Sequence, residues 1–372
     1  MIEAYGDGTL LALGGLAVGL GFGALAQRSR FCLRAATIEV SRGIFGPKLA
    51  IWLIAFAAAI AGTQALIASG VLDITQARQL SAQGSLSGTV IGGLMFGVGM
   101  VLARGCASRL LVLSATGNLR ALVSGLILTL VAQASLRGVL SPSREWLAGL
   151  WTIEGGDSRN LLSWLGADAR TGVMIGLIGL VAGLWLAYRN RVGGWTEIGA
   201  VGVGLMITAG WAVTSVVAGV SFEPVAVKSI SFTGPSADTL MGLINAPSIP
   251  LGFDVGLIPG VFAGSVLAAL FFRDFKLEGY HGGQSMARYI TGATLMGFGS
   301  MLAGGCAVGA VVTGGSVFAL TAVMALVAMA VGAGITDWLF DREPAAAKPA
   351  VVPATATVVM GEPMMGSMAT AR

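Results

Sequence analysis

Residues 92–107 read GGLMFGVGMVLARGCA, and residues 292–307 read GATLMGFGSMLAGGCA. The two stretches align without a gap, and eight of their sixteen positions are identical. Chance is a poor explanation even in a glycine-rich chain, because two of the only three cysteines, Cys106 and Cys306, coincide within Gly-Cys-Ala. The pair therefore predicts an internal repeat, with a cysteine at a glycine-rich break in each half of the chain.

The composition around this repeat is that of a membrane protein. Of the 372 residues, 55% are hydrophobic and only 11% are charged, and the mean hydropathy is +0.84. A soluble domain carries about 25% charged residues, so a soluble globular protein is excluded. Continuous apolar stretches argue against a transmembrane β-barrel, in which apolar and polar residues alternate. The net charge of +4 comes with no basic cluster or nucleic-acid-binding module, so no nucleic-acid partner is expected.

Nine stretches are long and apolar enough to cross a bilayer, which takes about 20 residues. They lie at 9–27, 49–70, 86–103, 119–136, 172–188, 197–216, 253–272, 287–303 and 317–339. The predicted fold class is therefore an all-α polytopic membrane protein, with a transporter domain over residues 1–342. Residues 343–372 lack a helical period and are predicted to form a disordered cytosolic tail.

The distribution of lysine and arginine predicts the orientation. With the N-terminus outside and nine spans, 16 of these residues fall on the inner side and 6 on the outer side. Inner loops carry the excess of positive charge in membrane proteins. We therefore expect a periplasmic N-terminus and a cytoplasmic C-terminus in a bacterial inner membrane.

The repeat is predicted to be inverted in the membrane. A weaker sequence similarity relates Gly19-Leu-Gly-Phe-Gly23 in the first span to Gly202-Val-Gly-Leu205 in the sixth. Spans one to four then match spans six to nine, as repeat one (about 9–140) and repeat two (about 197–340), and span 172–188 connects them. Each partner comes five spans later in the chain, and because five is odd the two partners cross in opposite directions. Inverted repeats with interrupted helices are typical of transporters, and their binding sites lie near the midplane.

Each cysteine is followed by a short apolar segment that cannot span the bilayer alone. These segments follow Cys32, Cys106 and Cys306, and each predicts a short re-entrant helix that begins near its cysteine. The helix N-termini would point towards the protein centre with unpaired N–H groups and a partial positive charge. Gly105 and Gly305 would let a ligand approach the backbone closely.

Thiols at helix N-termini indicate an anion that carries soft sulfur or selenium. The S–H group can donate to a terminal sulfur atom while N–H groups hold the oxygens. No Cys-x-x-Cys pair is present, which argues against a thioredoxin-like redox centre. A disulfide between two of the cysteines stays open, whereas three thiols without histidine would suit only a soft ion such as Cu(I). No resident metal or cofactor is predicted.

The chain resembles the YeeE/YedE family of membrane proteins, the thiosulfate transporter family. The resemblance covers roughly residues 10–340 and rests on Arg-x-Arg-Phe-Cys32, Leu-Ala-Arg-Gly-Cys106 and Leu-Ala-Gly-Gly-Cys306. It implies nine spans plus half-membrane helices, a constricted centre, and inward passage of thiosulfate along the three cysteines. It also implies that a small cytosolic sulfur-carrier protein can act downstream.

Arginines near the breaks are further candidates for binding an anion. Arg30 flanks Cys32 and belongs to an electropositive inner vestibule, or is only a positive-inside signal. Arg104 holds the anion or snorkels to the interface, and Arg109 contacts the anion or pairs with a carbonyl or an acid. Glu39 is expected to form a salt bridge with Arg34 or Arg42 at helical spacing, and Asp254 and Asp337 are expected to be solvated.

The sequence thus predicts an inner-membrane importer of thiosulfate that relays the anion along three central cysteines, and not an enzyme. Two alternatives stay open. One is transport of a related selenium or sulfur compound. The other is a membrane thiol enzyme such as a sulfurtransferase, which would carry a persulfide or disulfide during turnover.

Overall fold

The computed structural model describes residues 6–245, 250–279 and 283–341, and these residues are mostly helical. The predicted tail at 343–372 lies outside the described residues. The strands in the described ranges form one short antiparallel pair, β1 (Gly84–Ser85) and β2 (Thr152–Ile153). The predicted all-α class is therefore confirmed.

Thirteen helices of nine or more residues lie in the described part of the chain. They are α1 (Asp7–Ser29), α2 (Leu33–Ser41), α3 (Pro47–Ala68), α4 (Leu86–Leu102), α5 (Ala107–Ala115), α6 (Leu119–Arg137), α7 (Ser141–Gly149), α8 (Ala169–Arg189), α9 (Gly194–Val220), α10 (Thr233–Asn245), α11 (Phe253–Phe271), α12 (Gly283–Leu302) and α13 (Leu320–Thr336). Shorter helical pieces are the α-helical turns Arg78–Ser81, Leu161–Trp164 and Gly314–Ser316, the 3₁₀ turns Ile74–Gln76 and Asp157–Arg159, and the π-helices Ala307–Thr313 and Asp337–Asp341.

Nine of the segments found among these residues are long and apolar enough to cross a membrane, as the sequence predicts. They contain α1, α3, α4, α6, α8, α9, α11, α12 and α13. The observed helices start and end within a few residues of the predicted stretches. The fifth span, for example, is predicted at 172–188 and observed at Ala169–Arg189, because its polar cap Asp168 and its terminal Arg189 extend the helix beyond the apolar part.

Helices α4 and α12, which carry the sequence repeat, cross at their glycines. A Cβ at Gly92 would lie 2.5 Å from the carbonyl oxygen of Gly299, and one at Gly99 would lie 2.5 Å from that of Gly292. In the reverse direction, a Cβ at Gly299 would lie 2.7 Å from the carbonyl oxygen of Gly92, and a Cβ at Gly292 would lie 2.7 Å from that of Gly99. The repeat aligns Gly92 with Gly292 and Gly99 with Gly299, so the contact of Gly92 with Gly299 is equivalent to the contact of Gly292 with Gly99. Two equivalent contacts of this kind between antiparallel helices are related by a two-fold axis perpendicular to the helices. Such an axis lies in the membrane plane when the helices span the bilayer, as the inverted repeat requires.

The same relation holds for helices further from the axis. Gly97 of α4 packs against Met329 of α13, and Gly297 of α12 packs against Leu128 of α6. Helix α1 packs along α11, and its counterpart α9 packs along α3. The bundle is therefore built from two interlocked halves, in which each repeat supplies helices to the other.

The short helices that follow the cysteines end at opposite ends of the bundle. Helix α2 ends at one end of α13, where Arg42 binds Asp337. Helix α5 ends beside the loop that follows α11, where the Lys276 N–H donates to the Thr116 carbonyl at 3.1 Å. The helical segment after Cys306 instead ends beside the first turn of α13, where the Leu161 N–H donates to Phe318. Because α13 separates Phe318 from Asp337, these short helices extend from the interior towards opposite ends.

Three expectations for acidic side chains are wrong: two concern Glu39 and Asp337, and the third concerns Asp254. Glu39 forms no ion pair with Arg34 or Arg42, because its carboxylate accepts the N–H groups of Lys48 and Leu49 at the start of α3, at 3.2 and 2.8 Å. Asp337 is not solvated but only 2% exposed. Arg42 binds it with two hydrogen bonds of 2.8 and 2.7 Å.

Two further acidic groups also have basic partners. Asp254 forms an ion pair with Lys228 at 2.5 Å and is not simply solvated. The Asp341 carboxylate forms ion pairs with Arg34 and Arg288, with N–O distances of 3.5 and 2.7 Å, so it links α2 to the start of α12. Hydropathy and helical spacing cannot reveal these pairs, because the partners are distant in the sequence.

Candidate functional site

Each of the three cysteines is the residue immediately before a short helical segment. Cys32 precedes α2, Cys106 precedes α5, and Cys306 precedes the π-helix Ala307–Thr313. All three have extended backbone at this cap position. Helices of nine residues are about 14 Å long, less than half the bilayer core. Each sulfur therefore lies at the N-terminus of a half-length helix.

The Cys32 and Cys106 thiols lie next to each other. Each is close enough to interact directly with the other. The Cys106 sulfur also lies 3.4 Å from the Ser108 hydroxyl, inside the protein. Cys106 is buried and Cys32 is half-buried. The two breaks of the first repeat therefore place their thiols at one point.

Cys306 belongs to the same packed core but to the other repeat. Its sulfur accepts the Gly309 N–H at 3.5 Å, so the thiol caps its own helix. The side chain of Ser231 occupies the space above Gly309, where a Cβ would lie 2.3 Å from the Ser231 hydroxyl oxygen. The Thr313 hydroxyl donates to the carbonyl of Ile230 at 2.7 Å. Ile230 and Ser231 therefore contact the π-helix Ala307–Thr313 that follows Cys306.

Two arginines lie near the thiols of the first repeat, and two more lie near those arginines. Arg109 lies near both Cys32 and Cys106, and Arg34 lies near Cys32. Arg30 is in turn close to Arg109, and Arg104 to Arg34. The sequence reasoning selected Arg30, Arg104 and Arg109 for the site. It left Arg34 out of the site and considered it as a partner of Glu39, although the charge of Arg34 also acts on the Cys32 thiol.

The second repeat carries no charge at the matching positions. At the offset of 200 that aligns the repeats, Arg30, Arg34, Arg104 and Arg109 match Ile230, Gly234, Gly304 and Gly309. The half-helix starts of the first repeat thus carry arginines at four positions that are uncharged in the second repeat.

The backbone before two of the cysteines is strained. Arg30 and Arg104 have φ values of 53° and 56°, in the left-handed region that L-residues other than glycine avoid, whereas the matching Gly304 has a φ of 80°. An arginine at such a position costs about 1–2 kcal/mol relative to glycine. Gly105 and Gly305 allow the turn to pack tightly, since a Cβ at Gly305 would lie 2.8 Å from the Ala310 nitrogen.

Polar atoms without partners occur beside the half-helix starts. Arg34 Nε, Arg109 Nη1 and the Thr233 hydroxyl are buried and have no hydrogen-bond partner among the described residues. Buried donors of this kind are rare in proteins, and a bound ligand is one of the groups that satisfies them. Two of these donors carry positive charge, so they favour an anion.

All three cysteines are free thiols, so the disulfide left open above does not form in this structure. Trp211, deep in the sixth span, is fully buried, and its indole N–H donates to the Ser316 hydroxyl at 3.2 Å. It therefore anchors the end of the Cys306 segment. The sequence predicted three half-helices and missed a fourth, α10, which lacks a cysteine.

A polytopic helical bundle of two interlocked halves, with broken helices that meet at buried thiols, defines a membrane transport protein. The chain belongs to the family described as Sulphur transport, whose model matches residues 28–335. This match confirms the resemblance to the YeeE/YedE family.

Two curated relatives cover nearly the whole chain. The thiosulfate transporter TsuA of Escherichia coli (strain K12) is 26% identical over 360 residues, which are 90% of this chain and 96% of the relative. The protein of the same name from Spirochaeta thermophila is 27% identical over 342 residues, 88% of this chain and 98% of the relative.

Proposed function

We propose that this protein imports thiosulfate across the bacterial inner membrane and relays the anion along Cys32, Cys106 and Cys306. The observation that carries the proposal is the position of each thiol at the N-terminus of a buried half-length helix. The family and the names of both relatives support sulfur-anion transport in general and thiosulfate in particular. The N-terminus would be periplasmic and the C-terminus cytoplasmic.

Thiosulfate offers one terminal sulfur and three oxygens, and the two kinds of donor in the site match them. A thiol S–H donates to the terminal sulfur, while backbone N–H groups at the helix start hold the oxygens. The partial positive charge of each helix N-terminus opposes the charge of the dianion. Several weak sites in series permit both entry and release, which a single tight site would prevent.

The uneven placement of arginine supports an order for the binding sites along the passage. The anion would first meet Cys306, among neutral residues, and then Cys106 and Cys32, beside Arg109 and Arg34. Electrostatic attraction therefore increases towards the end that carries the ends of α2 and α5, which we assign to the cytoplasm.

Uptake of radiolabelled thiosulfate into proteoliposomes tests the proposal. Replacing Cys106 or Cys306 with alanine removes the S–H donor and should abolish uptake. Cys→Ser variants keep a donor of smaller size and should retain measurable uptake at higher KM. Wild-type uptake rates in both Cys→Ala proteins would contradict the relay, and a wild-type preference for sulfate over thiosulfate would contradict the substrate.

Orientation is tested in whole cells. An impermeant amine-reactive reagent should label Lys48 and Lys276 only after permeabilisation, because Lys48 in the first turn of α3 and Lys276 in the loop before α12 lie at the end assigned to the cytoplasm. Lys228, assigned to the periplasmic side, is paired with Asp254, so the matched control for labelling of intact cells is the Asp254→Asn variant, in which the Lys228 amine loses its ion pair. Labelling of Lys48 in intact cells, without labelling of Lys228, would reverse the assignment.

A membrane sulfurtransferase is the second candidate, because the adjacent Cys32 and Cys106 thiols are placed for sulfur exchange. Such an enzyme would carry a persulfide or a disulfide during turnover, whereas a relay of intact anions leaves free thiols. Mass spectrometry of the purified protein after exposure to thiosulfate separates the two. Unchanged mass during active uptake supports transport, and a sulfur adduct on a cysteine supports the enzyme.

A related selenium or sulfur anion is the alternative substrate. Competition by selenite and selenosulfate against labelled thiosulfate tests it, and stronger inhibition than by unlabelled thiosulfate would favour selenium. We also propose that a small cytosolic sulfur-carrier protein receives the imported sulfur at the basic end. Co-purification of such a protein from thiosulfate-grown cells, but not from cells expressing the Cys106→Ala variant, would support this partner.

A further inference from the structure

The fourth half-length helix, α10, has a buried hydroxyl at its start instead of a thiol. Thr233 is its first residue and is fully buried. The hydroxyl oxygen has no hydrogen-bond partner among the described residues. Thr37 in α2 bonds carbonyls of its own preceding turn at 3.0 Å, but Thr233 begins its helix and has no preceding turn to bond, so its buried hydroxyl needs a partner from elsewhere.

The position of α10 matches that of α2 under the two-fold relation. The Ala36 N–H donates to the Cys32 carbonyl in α2, and the Ser236 N–H donates to the Phe232 carbonyl in α10. Phe232 therefore takes the place of Cys32 at the fourth break. Because phenylalanine offers no polar group, Thr233 supplies the first side-chain donor of this half-helix.

The start of α10 contacts the half-helices of both other breaks. Ser231 lies over Gly309, three residues after Cys306. Phe232 and Ala107, the residue after Cys106, line the same cavity of about 200 Å³. Phe232 also packs against Phe22 of α1, with ring centroids 5.1 Å apart. Thr233 is thus one residue from the place where the half-helices of both repeats meet.

We propose that the Thr233 hydroxyl is a further substrate ligand, which donates a hydrogen bond to an oxygen of the transported oxyanion. This inference rests on the proposed thiosulfate transport and deepens it. A hydroxyl is a stronger donor than a thiol and suits an oxygen acceptor, whereas the cysteines suit the terminal sulfur. The two kinds of donor would orient an anion that has both kinds of acceptor.

The test compares isosteric variants in proteoliposome uptake. Thr233→Val keeps the shape and removes the donor, so KM for thiosulfate should rise roughly tenfold, the effect of losing a hydrogen bond to a charged group. Thr233→Ser keeps the donor and should restore a KM near that of the wild type. Thr63→Val is the matched control, because Thr63 in α3 also has a fully buried hydroxyl without a partner among the described residues. Its KM should not change.

Folding and function are separated in the same experiment. Thr233→Cys, which keeps a weak donor, should give an intermediate KM, and melting curves of all variants show whether the fold is intact. Thr233→Val with an unchanged KM would overturn the proposal. So would a rise in KM that Thr233→Ser does not reverse, since that result would indicate packing alone. If Cys106→Ala still abolishes uptake in either case, the proposed transport stands and only the role of Thr233 fails.

Discussion

At the scale of single residues, the site is defined by donors that lack acceptors. Arg109 lies beside Cys32 and Cys106, yet one of its buried nitrogen atoms has no partner among the described residues. A buried guanidinium without a carboxylate is costly unless an anion compensates its charge. The same reasoning applies to Arg34, although Asp341 neutralises part of its charge.

We predict that Arg109→Gln weakens thiosulfate binding by about 2 kcal/mol, which corresponds to roughly a 30-fold rise in KM. Glutamine keeps hydrogen-bonding capacity but removes the charge beside the two thiols. Concentration-dependent uptake in proteoliposomes measures the effect. Arg120→Gln is the control, because Arg120 stacks on Tyr289 and should leave KM unchanged. Equal effects of both substitutions would show that Arg109 acts only through the overall charge of the protein.

Arg104 offers a test in which stability and function should move in opposite directions. Arg104→Gly relieves the left-handed backbone and should stabilise the fold by about 1 kcal/mol, while loss of the guanidinium lowers uptake. Arg104→Ala removes the same charge but keeps the strain. Thermal melting and uptake of the two variants separate these effects. If the glycine variant is more stable and transports normally, the Arg104 side chain has no part in transport.

At the scale of elements, close helix packing fixes where the half-length helices meet. The α4–α12 crossing leaves no room for side chains at four glycines, and both helices lead directly into cysteine breaks. A shift at this crossing would move Cys106 and Cys306 together. Small residues at such crossings are how membrane helices gain van der Waals contact in the absence of a hydrophobic driving force.

Gly92→Ala is predicted to destabilise the protein by about 1–3 kcal/mol and to lower uptake. The new methyl group would lie 2.5 Å from a carbonyl oxygen and 2.6 Å from the Ala303 nitrogen. Gly125→Ala is the matched control in α6, where a Cβ would meet no atom within 4 Å. Melting in detergent should show a lower temperature for the first variant only. Equal melting of both would mean that the crossing tolerates side chains.

The end of α2 is held by an ion pair whose loss should be measurable. Arg42→Gln would leave the buried Asp337 carboxylate without its partner, which should cost about 1–3 kcal/mol. The double variant with Asp337→Asn should recover much of this loss, because no buried charge then remains. Glu145→Gln breaks an exposed pair and should cost less than about 1 kcal/mol. Additive effects at Arg42 and Asp337 would show that the two residues act independently.

At the scale of the whole molecule, the sequence predicts nine spans and the three cysteine breaks, because continuous hydropathy and a repeated motif are local signals. The fourth half-helix escapes this reasoning. Its segment has no cysteine, contains Gly234-Pro235 and Asp238, and resembles a loop, although proline is tolerated in the first turn of a helix. The Thr233 hydroxyl without a hydrogen-bond partner and the Arg42–Asp337 ion pair both depend on residues far apart in the chain, so only the folded structure reveals them.

The central claim, that a sulfur anion occupies the meeting point of the half-length helices, is tested most directly by a structure of the protein determined with bound thiosulfate. We predict that the anion lies between the half-helix starts, with its terminal sulfur within hydrogen-bonding distance of the Cys106 or Cys306 sulfur and its charge facing Arg109. An anion bound only at the loops between the helices, with these thiols in contact with protein alone, would contradict the claim.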